Sequence, residues 1–280
     1  NGLTVLVHED RKAPIVAVSI WYGVGSKNEP KGKTGYAHLF EHIMFNGSEN
    51  APGDYFEYTK KIGATYLNGT TWLDRTNYFQ TVPTTALESA LFLESDRMGF
   101  LLNAVTKEKL DNQIGVVSNE KRQGDNQPFG LVDYKRSETL FPVGHPYHHD
   151  TIGSLEDLSA ASLDDMKNWS QADLERYFKT YYAPNNWVVV VSGAMKLAEV
   201  KAMAEKYLEP IPSQPAPPAV HIKEPEQTGE RRITVQKQVA NPYLSIGWHV
   251  PDAKHEDYYP LVLLRDLLTG GQSSRLYSTL

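Results

Sequence analysis

Residues 35–48 read GYAHLFEHIMFNGS, and inside this run His38 and His42 lie four positions apart, with Glu41 directly before the second histidine. The apolar residues around them follow helical spacing, which predicts a helix from about Tyr36 to Phe45. Residues four apart lie on one face of an α-helix, so both imidazoles can point at a single cation. Glu41 leans toward the same face, beside the predicted metal site.

Two imidazoles and a neighbouring carboxylate are the parts of a hydrolytic zinc centre. A zinc ion held by three protein ligands keeps a fourth position for water and lowers the pKa of that water to about 7. A carboxylate beside it can then take the proton. The order HxxEH reverses the more familiar HExxH and is typical of inverzincins. A third ligand is still needed, and because the chain has no cysteine it must be a carboxylate or a histidine.

Composition narrows the class of protein. The chain has 280 residues, of which 40% are hydrophobic, enough for one large domain or one medium domain plus part of another. A net charge of −6 with interspersed signs argues against nucleic acid as a partner. No stretch approaches the roughly eighteen consecutive apolar residues of a membrane span. The first residues, NGLTVLVHED, look like a strand and not like a targeting segment.

Strands and helices are mixed along the chain without strict alternation, which favours an α+β fold with a mixed or antiparallel sheet flanked by helices. The runs LTVLVHE and PIVAVSIWYGV predict an antiparallel pair of strands. NGTTWLDRTNYFQTV and NNWVVVVSGAM predict one strand each. Helical spacing predicts helices at residues 36–45, 51–63, 84–102, 105–125, 162–181 and 198–208.

A proline-rich stretch predicts the domain organisation. Five prolines fall within residues 210–218, a composition that suits a semi-rigid linker at residues 210–219. We therefore expect one domain over residues 1–209 and the beginning of a second, truncated domain over residues 220–280. In that second part, residues 231–240 and 243–250 are predicted strands, and residues 258–270 are a predicted helix.

Six segments, taken in order, resemble the insulysin/pitrilysin family of zinc metallopeptidases, which includes the mitochondrial processing peptidases and bacterial relatives. They are GYAHLFEHIMFNGS, NGTTWLDRTNYF, SNEKRQ, HPYHHDTIGS, YYAPNNWVVVVSG and LLTGGQSSRL. The resemblance covers essentially the whole chain. It implies that the third ligand is Glu120, that His38, His42 and Glu120 hold one Zn²⁺ per chain, and that Glu41 is the general base.

The resemblance has further implications. Residues 220–280 would begin a homologous second domain, and a second half or subunit would close a chamber around the substrate. The peptide would add as a strand along an edge strand that matches Asn68, Gly69, Thr70 and Thr71. The bacterial character of the motifs favours a periplasmic or secreted location, with the cytoplasm as the alternative.

One departure from the family pattern bears on the metal site. The family commonly carries a glutamate two helical turns before the third ligand, where this chain has Gln113. A glutamine can hydrogen-bond a ligand or a water molecule, but it adds no negative charge. We therefore expect Gln113 to tune the metal less strongly, through a ligand that it contacts, than a glutamate would.

Three functions fit the sequence at this point. The first is a zinc endopeptidase that acts on peptides or small unfolded proteins. The second is a noncatalytic or partner-dependent scaffold subunit, because the resembling family includes such subunits. The third is a zinc hydrolase of small amides, which would need a closed pocket. His145, His148 and His149 offer a second metal-binding cluster, but we expect HPYHH to form a structural turn.

Overall fold

A computed structural model describes residues 1–160 and 177–279 of the chain. By its internal contacts the chain divides into a larger unit, Asn1–Ala240, and a smaller unit, Asn241–Leu280. The larger unit contains a five-stranded mixed sheet flanked by helices. This architecture confirms the predicted α+β class.

The sheet has the strand order β1-β5-β2-β4-β3. Neighbouring strands are antiparallel except for β1 and β5, which run parallel. Along β2, residues Val16, Val18 and Ile20 alternate with more exposed ones and face the core. The strands are β1 Thr4–Glu9, β2 Ile15–Tyr22, β3 Thr65–Thr71, β4 Thr76–Pro83 and β5 Trp187–Gly193.

The predicted pairing of β1 with β2 is wrong, because β5 lies between them. Val189 of β5 is opposite Val5 on one side and Ile20 on the other. The loop of residues 10–14 must therefore cross one intervening strand, a distance of about 9–10 Å, which a loop of that length can span. The valine run of β5 suits a central strand packed by neighbours on both sides.

The single strand predicted over residues 68–82 is a hairpin of β3 and β4. The alternation of residue types along the sequence continues through the turn at residues 72–75. The sequence pattern therefore does not reveal that the chain reverses direction there. The Trp72 amide donates to the Arg75 carbonyl at 2.9 Å and closes the turn. In the described part of the chain β3 pairs with β4 alone, and a bulge separates Thr65 from the regular stretch that begins at Asn68.

Helices pack against the sheet and against one another. The first and third helices contact the strands, and the fourth packs on the first. The larger unit contains α1 Tyr36–Ile43, α2 Tyr55–Lys61, α3 Leu87–Gly99, α4 Lys107–Asn126, α5 Val132–Leu140 and α6 Leu155–Ala160, followed by the helix Leu197–Tyr207.

Most of these helices match the helical spacing of the sequence. Helices α5 and α6 were not predicted: none of the residues of α5 is buried and it carries little apolar periodicity, and α6 has only 6 residues. The helix predicted at residues 162–181 falls largely outside the described ranges, but residues 177–181 are helical. Among the helices that the structure describes, none has both the length and the apolar character needed to cross a membrane.

Residues 213–250 contain no strand, so the strands predicted at residues 231–240 and 243–250 are absent. A strand is held by hydrogen bonds to a neighbouring strand, and no segment of the described chain pairs with these residues. The smaller unit contains the helices Tyr258–Thr269 and Arg275–Thr279, the first of which confirms the predicted helix at residues 258–270. The domain boundary at residues 210–219 stays a prediction.

A fully buried ion pair connects α3 to β4 and α2. The Arg97 guanidinium donates to both carboxylate oxygens of Glu94 at 2.6–2.9 Å. Its central carbon lies 4.0 Å from the centre of the Tyr78 ring and 4.3 Å from that of Tyr55. Glu94 also accepts from the Tyr55 hydroxyl and the Gln80 amide, each at 2.9 Å. Removing either charge would leave the other uncompensated in the core.

The substitution Glu94→Gln tests the importance of this pair. We expect it to lower the free energy of unfolding by about 3–5 kcal/mol, because Arg97 would stay buried without an opposing charge. Urea denaturation followed by circular dichroism measures the loss. Asp111→Asn is the control: it breaks the exposed Lys107–Asp111 pair and should change stability by less than about 1 kcal/mol. Equally small losses of unfolding free energy in both variants would show that the buried Glu94–Arg97 pair is not important for stability.

Candidate metal centre

Helix α1, which carries HLFEH, begins after Gly35. The φ of Gly35 is 91°, and a side chain there would place its Cβ 2.5 Å from the Ile152 carbonyl oxygen. Glycine offers no capping group, so Glu29 supplies one from the preceding loop. Its carboxylate accepts from the amides of Gly35 at 2.9 Å and Ala37 at 2.7 Å. A carboxylate at a helix N-terminus is favourable, and this one fixes where α1 starts.

Sequence reasoning missed Glu29. Burial raises the pKa of its carboxyl group, while the two amide hydrogen bonds act in the opposite direction. The cap comes from six residues before Gly35 and not from the capping position itself, so no capping motif marks it in the sequence.

The structure brings His38, His42 and Glu120 together where α1 packs against α4. Glu120 Oε2 lies 3.4 Å from His42 Nε2 and 3.8 Å from His38 Nε2. One ligand atom from each residue lies within 4.8 Å of the other two. A tetrahedral zinc with bonds of about 2.0–2.1 Å separates its ligand atoms by about 3.3–3.4 Å. The donor types and their spacing therefore fit a divalent cation of this kind.

The electrostatics of the cluster suit a cation. Burial lowers the pKa of His38 to about 4, and the nearby His42 acts in the same direction. Burial also acts to lower the pKa of His42, but the hydrogen bond to Glu120 and the charge of Glu41 outweigh it and raise that pKa. The hydrogen bond with His42 lowers the pKa of Glu120. The cluster thus has an ionised carboxylate and at least one neutral imidazole near neutral pH, the forms that bind metal.

Glu41 lies beside this cluster and is only 6% exposed. Burial raises the pKa of its carboxyl group, although a hydrogen bond from Thr71 opposes the shift. The Thr71 hydroxyl donates to Glu41 Oε2 at 2.6 Å, and the Tyr78 hydroxyl lies 3.3 Å from the Glu41 carbonyl oxygen. A buried carboxylate with a raised pKa next to candidate metal ligands has the properties of a proton acceptor.

Gln113 lies on α4 against the same cluster. It is buried, and its interaction with the His42 side chain acts to raise the pKa of that imidazole. Its amide nitrogen donates to Asn112 Oδ1 at 3.1 Å. A role for Gln113 in tuning the metal stays a prediction.

The four residues expected to bind peptide occupy the regular end of the edge strand β3. Asn68 is exposed, whereas Gly69 is buried and packs so closely that a Cβ would lie 3.0 Å from the rings of Phe45 and Tyr78. Thr70 bonds to Arg75 and Asn77 across the hairpin. Thr71 instead turns its side chain toward Glu41, a role that the sequence did not indicate.

The histidines of HPYHH lie in separate environments. His145 Nε2 is 3.1 Å from Glu224 Oε1, and His148 Nδ1 is 2.8 Å from the Phe141 carbonyl oxygen. His149 Nδ1 lies 3.7 Å from Glu29 Oε2. Within residues 1–160 and 177–279, the set of His38, His42 and Glu120 is the only group of three or more potential ligands that meets at one point.

The larger unit thus combines a mixed α+β sheet with a His–His–Glu cluster that could hold a divalent metal ion beside a buried carboxylate. Comparison with family models narrows the class of protein: the model described as Insulinase (Peptidase family M16) matches residues 4–144, and the model described as Peptidase M16 inactive domain matches residues 168–280. The chain belongs to the insulinase family, peptidase family M16.

Individual relatives agree with this assignment. The chain is 33% identical to zinc protease PqqE of Helicobacter pylori over 285 residues, which cover 100% of this chain and 62% of that protein. It is similar to the crystal structure of a protease from Helicobacter pylori, with 31% identity, a TM-score of 0.84 and coverage of 100% of this chain and 66% of that one. The first half of the periplasmic protease PqqL from Escherichia coli shares the fold, with 23% identity, a TM-score of 0.68 and coverage of 79% and 46%. The chain thus spans less than two thirds of these relatives.

The variant Glu120→Gln tests the metal centre. Glutamine keeps the shape of the side chain but loses the ionised oxygens. Losing a residue that only hydrogen-bonds a metal ligand typically lowers metal affinity about 10–100-fold. We expect the loss of a ligand itself to lower zinc affinity by more than that. Competition with a chromophoric chelator measures the affinity. Glu108→Gln, an exposed change on the same helix, is the matched control and should bind zinc like the parent. Parent-like zinc binding by Glu120→Gln would rule out this ligand set.

Proposed function

We propose that this chain is the metal-binding part of a zinc-dependent endopeptidase that hydrolyses peptides or small unfolded proteins. His38, His42 and Glu120 would hold one Zn²⁺ per chain, and Glu41 would be the general base. The observation that carries the proposal is the convergence of these ligands beside a buried carboxylate. The zinc proteases among its relatives support the choice of metal.

Zinc, when bound, supplies Lewis acidity that makes water a nucleophile near neutral pH. Glu41 accepts a proton from the water that attacks the scissile carbonyl carbon, and it returns this proton to the amine that leaves when the carbon–nitrogen bond breaks. The raised pKa of Glu41 suits both steps, because a base with a pKa nearer the working pH also acts as an acid. Gln113, which interacts with the His42 side chain, would help to orient that imidazole.

Substrate would bind along β3 by strand addition. Residues Asn68, Gly69, Thr70 and Thr71 form the regular part of an edge strand whose last residue contacts Glu41. Main-chain hydrogen bonds to such an edge do not depend on the sequence of the peptide, so broad specificity follows. A zinc hydrolase of small amides is less well supported, since an extended edge strand suits a longer chain.

The domain organisation, the missing second half and the location are proposed from the similarity to the relatives. We propose a zinc-binding domain over residues 1–209, a linker at residues 210–219 and the start of a homologous domain over residues 220–280. A second half or subunit would close the chamber around the peptide, because the relatives are longer than this chain. We propose a periplasmic or secreted location, as for PqqL of Escherichia coli, and retain a cytoplasmic location as the alternative.

The second candidate is a noncatalytic or partner-dependent scaffold subunit of the same family. Gln113 favours it, because a neutral amide behind His42 increases the basicity of that ligand less than a carboxylate would. Such a chain would bind zinc but would not cleave peptides by itself.

Substitutions at Gln113 test its contribution. Gln113→Leu removes the polar group that interacts with His42, so zinc affinity should fall about 10–100-fold. Gln113→Glu adds a charge that increases the basicity of the imidazole, so affinity should rise. Chelator competition measures both variants against the parent, and unchanged affinity in both would exclude an influence of Gln113 on the metal.

The variant Glu41→Gln tests the proposed reaction. We expect it to hold zinc like the parent but to cleave a quenched fluorescent peptide about 10²–10⁴-fold more slowly, because glutamine cannot accept the proton. Zinc content is measured on the same samples. Glu57→Gln, on the exposed side of α2, is the control and should retain full activity.

The same assay separates the candidate functions. A parent protein that holds one zinc per chain and cleaves no peptide, either alone or with its second half, would favour the scaffold. A protein that binds no zinc would contradict both candidates.

A further inference from the structure

The Thr71 side chain makes a short, buried contact with the proposed base. Its Oγ1 lies 2.6 Å from Glu41 Oε2, and the two residues are only 9% and 6% exposed. An ionised carboxylate has no hydrogen to give, so the threonine hydroxyl must be the donor. Hydrogen bonds of this kind to a charged acceptor are among the stronger ones.

The surroundings of Thr71 leave its hydrogen for Glu41. Across the hairpin, Thr76 Oγ1 lies 3.0 Å from the Val24 carbonyl oxygen and 3.3 Å from Thr71 Oγ1. Thr76 can donate to either oxygen, and in both cases the single hydrogen of Thr71 is not needed elsewhere. Thr71 is also paired with Thr76 in the strand register, so the backbone fixes the position of the hydroxyl.

A glutamate carboxylate rotates easily about its last torsion, which has a broad, roughly two-fold profile. One fixed donor on Oε2 removes that freedom and turns Oε1 away from Thr71. The donor comes from the last residue of the edge strand, so the orientation of the carboxylate depends on the position of β3.

We propose that Thr71 is a positioning residue, which holds Oε2 of Glu41 and leaves Oε1 as the atom that takes the proton. This inference rests on the proposed peptidase function. It differs from the peptide-binding role expected for residues 68–71, because the side chain of Thr71 serves the base while only its main chain lies along the edge.

The test compares Thr71→Val, which keeps the shape without the hydroxyl, with Thr71→Ser, which keeps the donor. In the zinc-loaded protein we expect Thr71→Val to lower kcat at least about tenfold with KM within twofold of the parent, and Thr71→Ser to recover most of kcat. Zinc content should be equal in all variants. Thr59→Val is the control: it removes another buried hydroxyl, which donates to main-chain carbonyls of α2, and should leave kcat unchanged.

Crystal structures of both Thr71 variants give a readout that does not need turnover. We expect the Glu41 carboxylate to rotate away from its parent position in Thr71→Val and to keep that position in Thr71→Ser. A parent-like carboxylate in Thr71→Val, or a kcat loss that serine does not recover, would overturn the inference. If the parent holds zinc but cleaves nothing, the peptidase proposal fails, and the crystal structures alone decide whether Thr71 positions Glu41.

Discussion

The site depends on one constraint: a carboxylate on α4 must meet two imidazoles on α1 within about one tetrahedral ligand spacing. The i and i+4 positions of His38 and His42 provide half of this geometry locally. The other half requires that α1 be held in place, because Glu120 belongs to a different helix, α4. Its Oε2 lies 3.4 Å from His42 Nε2. A small rotation of α1 would move both imidazoles away from Glu120.

Buried polar contacts hold α1 at its start and along its length. At its N-terminus, Glu29 accepts the Gly35 and Ala37 amides. Farther along, the Tyr78 hydroxyl lies 3.3 Å from the Glu41 carbonyl oxygen, and the Tyr78 ring stacks on the guanidinium of Arg97. The ion pair of the core is therefore connected to the base through one aromatic side chain. Tyr78 therefore both packs in the core and contacts the residue proposed as the base.

The local part of this arrangement could be predicted from the sequence, and the non-local part could not. HxxEH on a helix follows from periodicity alone, and it places two candidate ligands and the proposed base. Glu120 came from the family resemblance, since no spacing rule connects it to His42. The insertion of β5 between β1 and β2 depends on pairing between residues far apart in the chain. The contacts of Glu29 and Thr71 have no sequence signal, because each connects two elements through one side chain.

The edge strand has two requirements that oppose each other. Under the proposed function it must stay unpaired to receive a peptide, yet an unpaired edge also invites aggregation with other chains. The bulge after Thr65, with Tyr66 at a φ of 50°, interrupts the ladder and confines regular pairing to the stretch from Asn68 to Thr71. That stretch ends at the residue that contacts Glu41. The irregularity therefore breaks up the exposed edge outside the four residues proposed to receive a peptide.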